Sequence, residues 1–94
     1  MNAPTNPVLD RVLDLAARVA TSRRPGFPGP ETALVDGGFW LDSLALLELL
    51  VACEETFGVC LDPADLTPGH LRTAGGLAAI VASRLAEVAR SRDT

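Results

Sequence analysis

The sequence lacks several residue types that most folded proteins use. It has no lysine and no tyrosine, and only one tryptophan, one histidine and one methionine. With so few aromatic side chains, a folded core has to be built mainly from aliphatic residues. The longest apolar run, residues 44–53, is interrupted by Glu48 and is too short for the roughly 20 residues of a membrane span. The first residues carry no basic segment before an apolar stretch, so we expect no signal peptide, no membrane partner and a cytoplasmic location.

The usual signatures of catalytic and metal sites are also missing. His70, in a Pro-Gly-His segment, has no triad partners at a recognisable spacing, and no Gly-x-Ser-x-Gly motif is present. Together with Cys53 and Cys60 it supplies too few ligands for a metal site. We expect both cysteines to be reduced, small core residues, His70 to lie in a turn, and Glu54 with Glu55 to lie on a solvated helix. These expectations argue against an enzyme.

Charge is unevenly distributed along the chain. The net charge is −4, yet residues 26–71 contain no arginine and eight acidic side chains, namely Glu31, Asp36, Asp42, Glu48, Glu54, Glu55, Asp62 and Asp65. All eight basic residues are arginines outside this segment. Nucleic acid is therefore a poor partner, because binding to phosphates needs a basic surface. Proteins with basic patches are better partners, although an acidic face that only meets solvent is an alternative.

Apolar spacing predicts an all-α fold, a small helical bundle of three main helices and one short one. We expect one domain over residues 1–94, with a helical core over about 7–90. The first helix is predicted over residues 7–21 with Asn6 as its N-cap. A long loop rich in proline and glycine follows up to Leu41, with room for a helical turn at residues 31–34.

The second helix is predicted to begin at Ser43, after the N-cap Asp42, and to end at Phe57, before Gly58 in a left-handed conformation. A capped turn is expected at residues 62–66. A last helix capped by Thr73 is expected to reach about Arg90, with Gly75 and Gly76 either weakening its first turn or allowing a neighbouring helix to approach closely. We expect the tail from residue 91 to fray.

The second helix has more apolar residues than docking on a core requires. One stripe, sufficient to bury the helix, consists of Leu46, Leu49, Leu50, Cys53 and Phe57. A second group lies off that stripe and is bordered by carboxylates: Leu44, Leu47 and Val51, with Glu48 and Glu55. This group is typical of a surface for a partner with an apolar groove and a basic rim. The alternative is a central helix that is covered nearly all round.

Ser43 lies at the start of this helix, in the segment Leu41-Asp42-Ser43-Leu44. A hydroxyl in the first helical turn is accessible, and the unpaired N–H groups and the positive end of the helix dipole suit a phosphate. The segment, followed by Glu48 and by Glu54-Glu55-x-Phe57-Gly58, resembles the attachment site of acyl carrier proteins. The likeness extends to Asp65-Leu66 and Thr73-x-x-x-Leu77, and so covers nearly the whole chain.

The resemblance implies a role for each of these residues. Ser43 would be the attachment residue for 4′-phosphopantetheine, transferred from coenzyme A by a phosphopantetheinyl transferase, and Asp42 would help to position it. The family's recognition face would consist of Leu44, Leu47, Glu48, Val51 and Glu55. Partners would be the transferase and the acyl-loading and acyl-transferring enzymes, through basic patches. A carrier of this kind holds acyl groups as thioesters and is not itself a catalyst.

Two departures from the common pattern of the family narrow the expected role. Trp40 stands where many fatty-acid carriers have glycine, and Ala45 stands where an acidic or polar residue is frequent. We therefore expect a freestanding, monomeric carrier of a specialised pathway, such as polyketide synthesis. The alternatives are a peptidyl or aminoacyl carrier, and a helical docking module in which Ser43 only lies near a cap. A small serine hydrolase ranks below both.

Overall fold

The computed structural model describes residues 7–20, 26–62, 64 and 66–92, with side chains up to Arg90. Within these ranges the chain forms three helices, α1 (Pro7–Val19), α2 (Ser43–Phe57) and α3 (Ala74–Arg92), and no strand. Helix α1 packs against both α2 and α3, which contact each other less. The predicted all-α, acyl-carrier-like fold is confirmed. Helix α1 ends two residues earlier than predicted, and the expected cap Asn6 lies outside the described residues.

The core is aliphatic and includes the long loop. Leu34 and Phe39, both from the loop, are among the largest fully buried side chains, next to Leu49 of α2 and Leu77 of α3. No polar or charged residue among those described is buried. The second half of the loop is therefore packed onto the helices and supports the start of α2.

The loop is fixed by backbone pairing with the start of α3. Ala33 forms an isolated antiparallel bridge with Thr73, and the Leu34 N–H donates to the carbonyl of Arg72 over 2.9 Å. The helical turn anticipated at residues 31–34 is replaced by a tight turn at Pro30 and this extended segment. This pairing gives hydrogen-bond partners to backbone N–H and C=O groups that would stay unpaired in a single isolated helical turn.

The two glycines of the first turn of α3 allow loop segments to approach closely, and not a neighbouring helix, which was one of the two predicted alternatives. A Cβ on Gly75 would lie 2.7 Å from the Pro30 carbonyl oxygen, and a Cβ on Gly76 would collide with the His70 carbonyl. The Gly75 N–H donates to that Pro30 oxygen over 2.8 Å. Thr73 caps the helix as predicted, since its hydroxyl accepts the Gly76 N–H over 3.1 Å. Close approach of the backbone therefore explains why glycine is found here.

Helix α2 has the predicted bounds, and both ends are capped. Gly58 adopts φ 68° and ψ 38°, and its N–H donates to the Glu54 carbonyl over 2.9 Å. The expectation that Glu54 is a solvated carboxylate is wrong, because it is partly buried and accepts the Leu61 N–H over 2.9 Å. This bond ties the segment after α2 back onto the helix. Glu55 is exposed, as expected.

The prediction that both cysteines are core residues is wrong for Cys60, which lies in the segment after α2. Cys53 is buried, but Cys60 is exposed, because the extended chain buries Val59 and Leu61 on either side of it. Side chains of an extended segment alternate between two faces, which leaves the Cys60 thiol outside. In the following turn, the Asp62 carboxylate accepts the Ala64 N–H over 3.3 Å. The rest of the predicted turn, residues 63 and 65, lies outside the described residues.

Helix α3 continues past the predicted end at Arg90 to Arg92, so fraying from residue 91 is not seen up to that point. Its inner face contains Leu77, Ile80 and Val81, which are buried, while Leu85 and Val88 pack more loosely against the core. Residues 93 and 94, the end of the expected tail, lie outside the described residues. No helix of the described residues combines the length and the apolar character that crossing a membrane requires.

Candidate functional site

Ser43 is the first residue of α2, and its side chain is exposed. The first backbone hydrogen bond of the helix is donated by Leu46 to the Asp42 carbonyl over 2.9 Å, so the N–H groups of Ser43 and Leu44 precede the helical ladder. Such groups, with the positive end of the helix dipole, stabilise a nearby anion by about 0.3–1 kcal/mol. The hydroxyl therefore lies where a phosphodiester would be accessible and favourably placed.

Asp42 is the predicted N-cap and has the geometry of one. Its backbone is extended, with φ −84° and ψ −179°, and one carboxylate oxygen accepts the Ala45 N–H over 2.8 Å. The side chain is exposed, so its second oxygen faces solvent beside Ser43. The capping bond holds this carboxylate in one place relative to the Ser43 hydroxyl, and both groups are fixed to the same rigid helix start.

The apolar residues that lie off the buried stripe of α2 are exposed. Leu44 is 67% exposed, Leu47 is 56% exposed and Val51 is 43% exposed, on one side of the helix at intervals of three and four residues. Glu48 and Glu55 are exposed beside them. We call these five residues the α2 surface. The alternative of a helix covered nearly all round is therefore wrong. The structure brings the α2 surface and Ser43 together on one helix.

The buried side of α2 contains one unreactive thiol. Burial raises the pKa of Cys53 from 9.0 to about 11, and the nearby negative charge of Glu54 adds to the shift. A thiol with such a pKa is almost entirely protonated at neutral pH and is a poor nucleophile. Cys53 therefore acts as a small core residue, as predicted, and contributes nothing to the chemistry of the site.

One feature beside Ser43 is not visible in the sequence pattern. Trp40 has φ 54°, in the left-handed region that bulky side chains rarely adopt, and its side chain is 51% exposed. The sequence shows an aromatic residue before the helix, at a position where many fatty-acid carriers have glycine, but the residue type does not predict a left-handed backbone. The available signal is that glycine in related carriers, since glycine adopts positive φ readily.

The predicted surface position of His70 is confirmed. It is exposed, lies in a turn, and its Nδ1 is 3.0 Å from the Thr67 hydroxyl. Among the described residues no three side chains of the kind that bind metals come together. At the start of α2, by contrast, the hydroxyl of Ser43 and the carboxylate of Asp42 are both exposed on adjacent residues.

Comparison with protein families agrees with this geometry. The family model of the phosphopantetheine attachment site matches residues 10–81, about three quarters of the chain. The chain belongs to that family. It is therefore a carrier whose cofactor is covalently attached 4′-phosphopantetheine, and it interacts with a phosphopantetheinyl transferase and with pathway enzymes. No curated protein and no solved structure matched the chain.

The residues at the start of α2 fit such a group. Covalent attachment needs an accessible hydroxyl, which Ser43 has, and the phosphodiester needs hydrogen-bond donors or positive charge nearby. The helix start supplies donors, but residues 26–71 contain no arginine and no lysine. Within residues 26–71, the favourable contribution to a phosphate comes from backbone dipoles and not from a basic side chain.

Proposed function

We propose that this carrier bears its 4′-phosphopantetheine arm on Ser43 and that its cargo is an acyl group of a specialised pathway such as polyketide synthesis. The single observation that carries the proposal is the exposed Ser43 hydroxyl at the capped start of α2, inside the region that matches the family. The bound arm supplies a terminal thiol that holds the cargo as a thioester. The protein supplies position, because a tether raises the concentration of cargo at each partner enzyme.

Attachment exchanges the phosphoanhydride bond of coenzyme A for a phosphoester bond to Ser43. The Ser43 oxygen bonds to the phosphorus that carries the pantetheine in coenzyme A, the bond to the adenosine bisphosphate breaks, and the serine proton leaves to a base of the transferase. Asp42 is the positioning residue in this proposal: its carboxylate is held by the Ala45 N–H and offers an oxygen to a metal ion of the transferase. Ser83, the other serine whose side chain the structure describes, lies inside α3 and not at a capped helix start.

Intact-mass analysis after co-expression with a broad-specificity transferase tests the attachment residue. We expect the wild-type chain to gain the mass of one phosphopantetheine and Ser43→Ala to gain none. Ser83→Ala is the matched control, because Ser83 is also an exposed serine on a helix. Modification that persists in Ser43→Ala, or a wild-type chain that stays unmodified, would contradict the proposal.

We propose that partners bind the α2 surface through an apolar groove with a basic rim. Three exposed apolar side chains next to two exposed carboxylates support this reading, since an isolated apolar patch would not select a partner by charge. The negative charge of residues 26–71 extends the same sign around the patch and steers basic partners towards it. The transferase is the first such partner that a newly made chain meets.

Two substitutions test this surface. We expect Glu48→Arg and Val51→Glu each to lower kcat/KM of the transferase by about three- to tenfold, because electrostatic and apolar contacts of an interface change association by one decade or more. Circular dichroism should show unchanged helicity. Asp14→Arg makes the same charge change at an exposed position on α1 and should leave the rate near that of the wild type. Equal rates for all three variants at physiological salt would contradict the role of the α2 surface.

The acyl nature of the cargo is supported by Asp42, which precedes the serine where peptidyl carriers usually have another residue. Loading the modified chain separately with an acyltransferase and malonyl-coenzyme A, and with an adenylation enzyme and amino acids, distinguishes the two cases by mass. Stable aminoacyl loading without malonyl loading would favour the peptidyl alternative. We further propose a cytoplasmic monomer, which size-exclusion chromatography with light scattering tests for the oligomeric state.

A further inference from the structure

Trp40 combines two features that cost stability. A left-handed conformation costs a non-glycine residue about 1–2 kcal/mol, and Trp40 has φ 54°. Its large apolar side chain is also 51% exposed to water. A glycine or asparagine would adopt the same backbone with less strain and would expose less apolar area. Backbone strain of this kind is concentrated at functional sites, so the left-handed conformation of Trp40 is a reason to look for a function of its side chain.

The backbone on both sides of Trp40 is held by hydrogen bonds. The Phe39 N–H donates to the Ala33 carbonyl over 3.0 Å, and the Leu41 N–H donates to the Leu34 carbonyl over 2.8 Å. The Trp40 N–H itself donates to the Gly37 carbonyl over 2.9 Å. Phe39 and Leu41 are buried, at 1% and 5% exposed. The indole is thus presented outward from a fixed backbone between two buried anchors.

Trp40 lies three residues before Ser43, so their Cα atoms are at most about 11 Å apart. Asp42, which lies between them, is fixed at the helix start because its carboxylate accepts the Ala45 N–H. An arm attached to Ser43 therefore begins within reach of the indole. The nearest other exposed apolar side chain along the chain is Leu44, which follows Ser43 and belongs to the α2 surface.

The chain on either side of Ser43 offers exposed apolar side chains, Trp40 and Leu44, and no basic ones. No arginine or lysine occurs in residues 26–71, so no nearby basic side chain of this segment can hold the phosphodiester. The pantoyl part of the arm carries two methyl groups close to the phosphate. Methyl groups pack well on an aromatic face, and Trp offers the largest such face. We propose that Trp40 is a packing platform for the pantoyl methyl groups of the arm. This inference rests on the proposed attachment at Ser43.

The platform gives the arm a preferred direction at its base. Contact with Trp40 lies on the loop side of Ser43, whereas the α2 surface lies on the helix side. The arm then leaves the α2 surface accessible to an enzyme with a basic rim. The contact is weak enough to be broken when a partner draws the arm into its active site, since a small apolar contact is easily exchanged for a larger one.

Trp40 is the only tryptophan, and tyrosine is absent, so intrinsic fluorescence reports on this side chain alone. We expect attachment of the arm to shift the emission to shorter wavelength and to reduce acrylamide quenching about twofold, because the methyl groups cover part of the exposed indole. Alkylating the terminal thiol beforehand removes quenching by sulfur. Phe27→Ala is the control, because it removes an exposed aromatic side chain outside the α2 surface, and the same change should persist in it. Intact mass must show complete conversion in every sample.

Proton NMR of the modified chain provides a second readout that does not depend on fluorescence. In the wild type, the ring current of the indole should shift the two pantoyl methyl signals away from their positions in free coenzyme A, and Trp40→Leu should return them to those positions. Trp40→Leu should still be modified to completion. Unchanged fluorescence, and methyl signals at the positions found in free coenzyme A, in a fully modified wild type would overturn the platform and favour a partner enzyme as the occupant. A chain that is never modified overturns the attachment proposal, and the platform with it.

Discussion

Replacing Gly38 by alanine should destabilise the protein far more than most loop substitutions do. Gly38 has φ 55°, and an added Cβ would collide with the carbonyl oxygen of Ala33 and lie 2.8 Å from its nitrogen. That carbonyl accepts the Phe39 N–H over 3.0 Å, and Ala33 also pairs with Thr73. The new methyl group therefore displaces the backbone segment that joins the loop to α3.

The magnitude follows from two contributions. The left-handed conformation costs alanine about 1–2 kcal/mol relative to glycine, and each backbone hydrogen bond that is lost costs about 1 kcal/mol. Together they lower the free energy of unfolding by about 2–4 kcal/mol. For a chain of this size, that corresponds to a fall in Tm of about 10–25 °C. Displacing the fully buried Phe39 would add to the loss.

Urea unfolding followed by far-UV circular dichroism measures the effect. Gly29→Ala is the matched control, because a Cβ there meets nothing within 4 Å and no unusual backbone conformation is required. The control should stay within about 0.5 kcal/mol of the wild type, as do most substitutions away from special features. A Gly38→Ala variant that is as stable as Gly29→Ala would refute the reasoning.

Other predictions concern the two thiols and the cap of α2. The pKa of Cys53 is raised from its ordinary value of 9.0 to about 11 in the folded protein. The protonated thiol therefore contributes fully to the free energy of unfolding below pH 9, and this contribution is lost as the pH rises towards 11. Cys53→Ala should remove this pH dependence of stability. No lysine or tyrosine titrates in the same window, so pH-dependent urea unfolding isolates the effect. Under native conditions Ellman's reagent should label Cys60 rapidly and Cys53 only on unfolding; equal rates would contradict the assigned burial. Asp42→Ala removes the capping bond to the Ala45 N–H and should lower the free energy of unfolding by about 1 kcal/mol. Asp42→Asn should retain the cap and slow only the modification of Ser43. Loss of helicity in both variants would argue against separate roles of Asp42 in capping and in modification.

The sequence predicts α2 well because the residues that set its start, its end and its buried face lie within the helix or next to it. Asp42 caps the helix within one turn, and Gly58 ends it by adopting a conformation that other residues avoid. The spacing of leucines separates the buried Leu49 from the exposed Leu47, since helical geometry alone decides which faces lie together. The position of Ser43 in the first turn follows from the same cap.

Sequence patterns do not predict the burial or the hydrogen bonds of a residue that contacts a segment outside its own helix. The side chain of Glu54 accepts a hydrogen bond from Leu61 only because the chain folds back after Gly58. Cys60 is exposed because its two neighbours are drawn into the core. Both outcomes depend on the path of an irregular segment, for which no periodicity exists.

By itself, the sequence determined the helical class, the bounds of α2, the accessible position of Ser43 and the acidic character of residues 26–71. These properties depend on residue spacing, caps and charge, which act within a few turns of chain. Only the tertiary structure decided that Gly75 admits the Pro30 carbonyl and that Trp40 is presented outward with a strained backbone. The first feature arises from hydrogen bonds between the loop and the start of α3, about forty residues apart, and the second from hydrogen bonds that close the loop on itself. Neither follows a periodic sequence pattern, because each depends on how the whole chain folds.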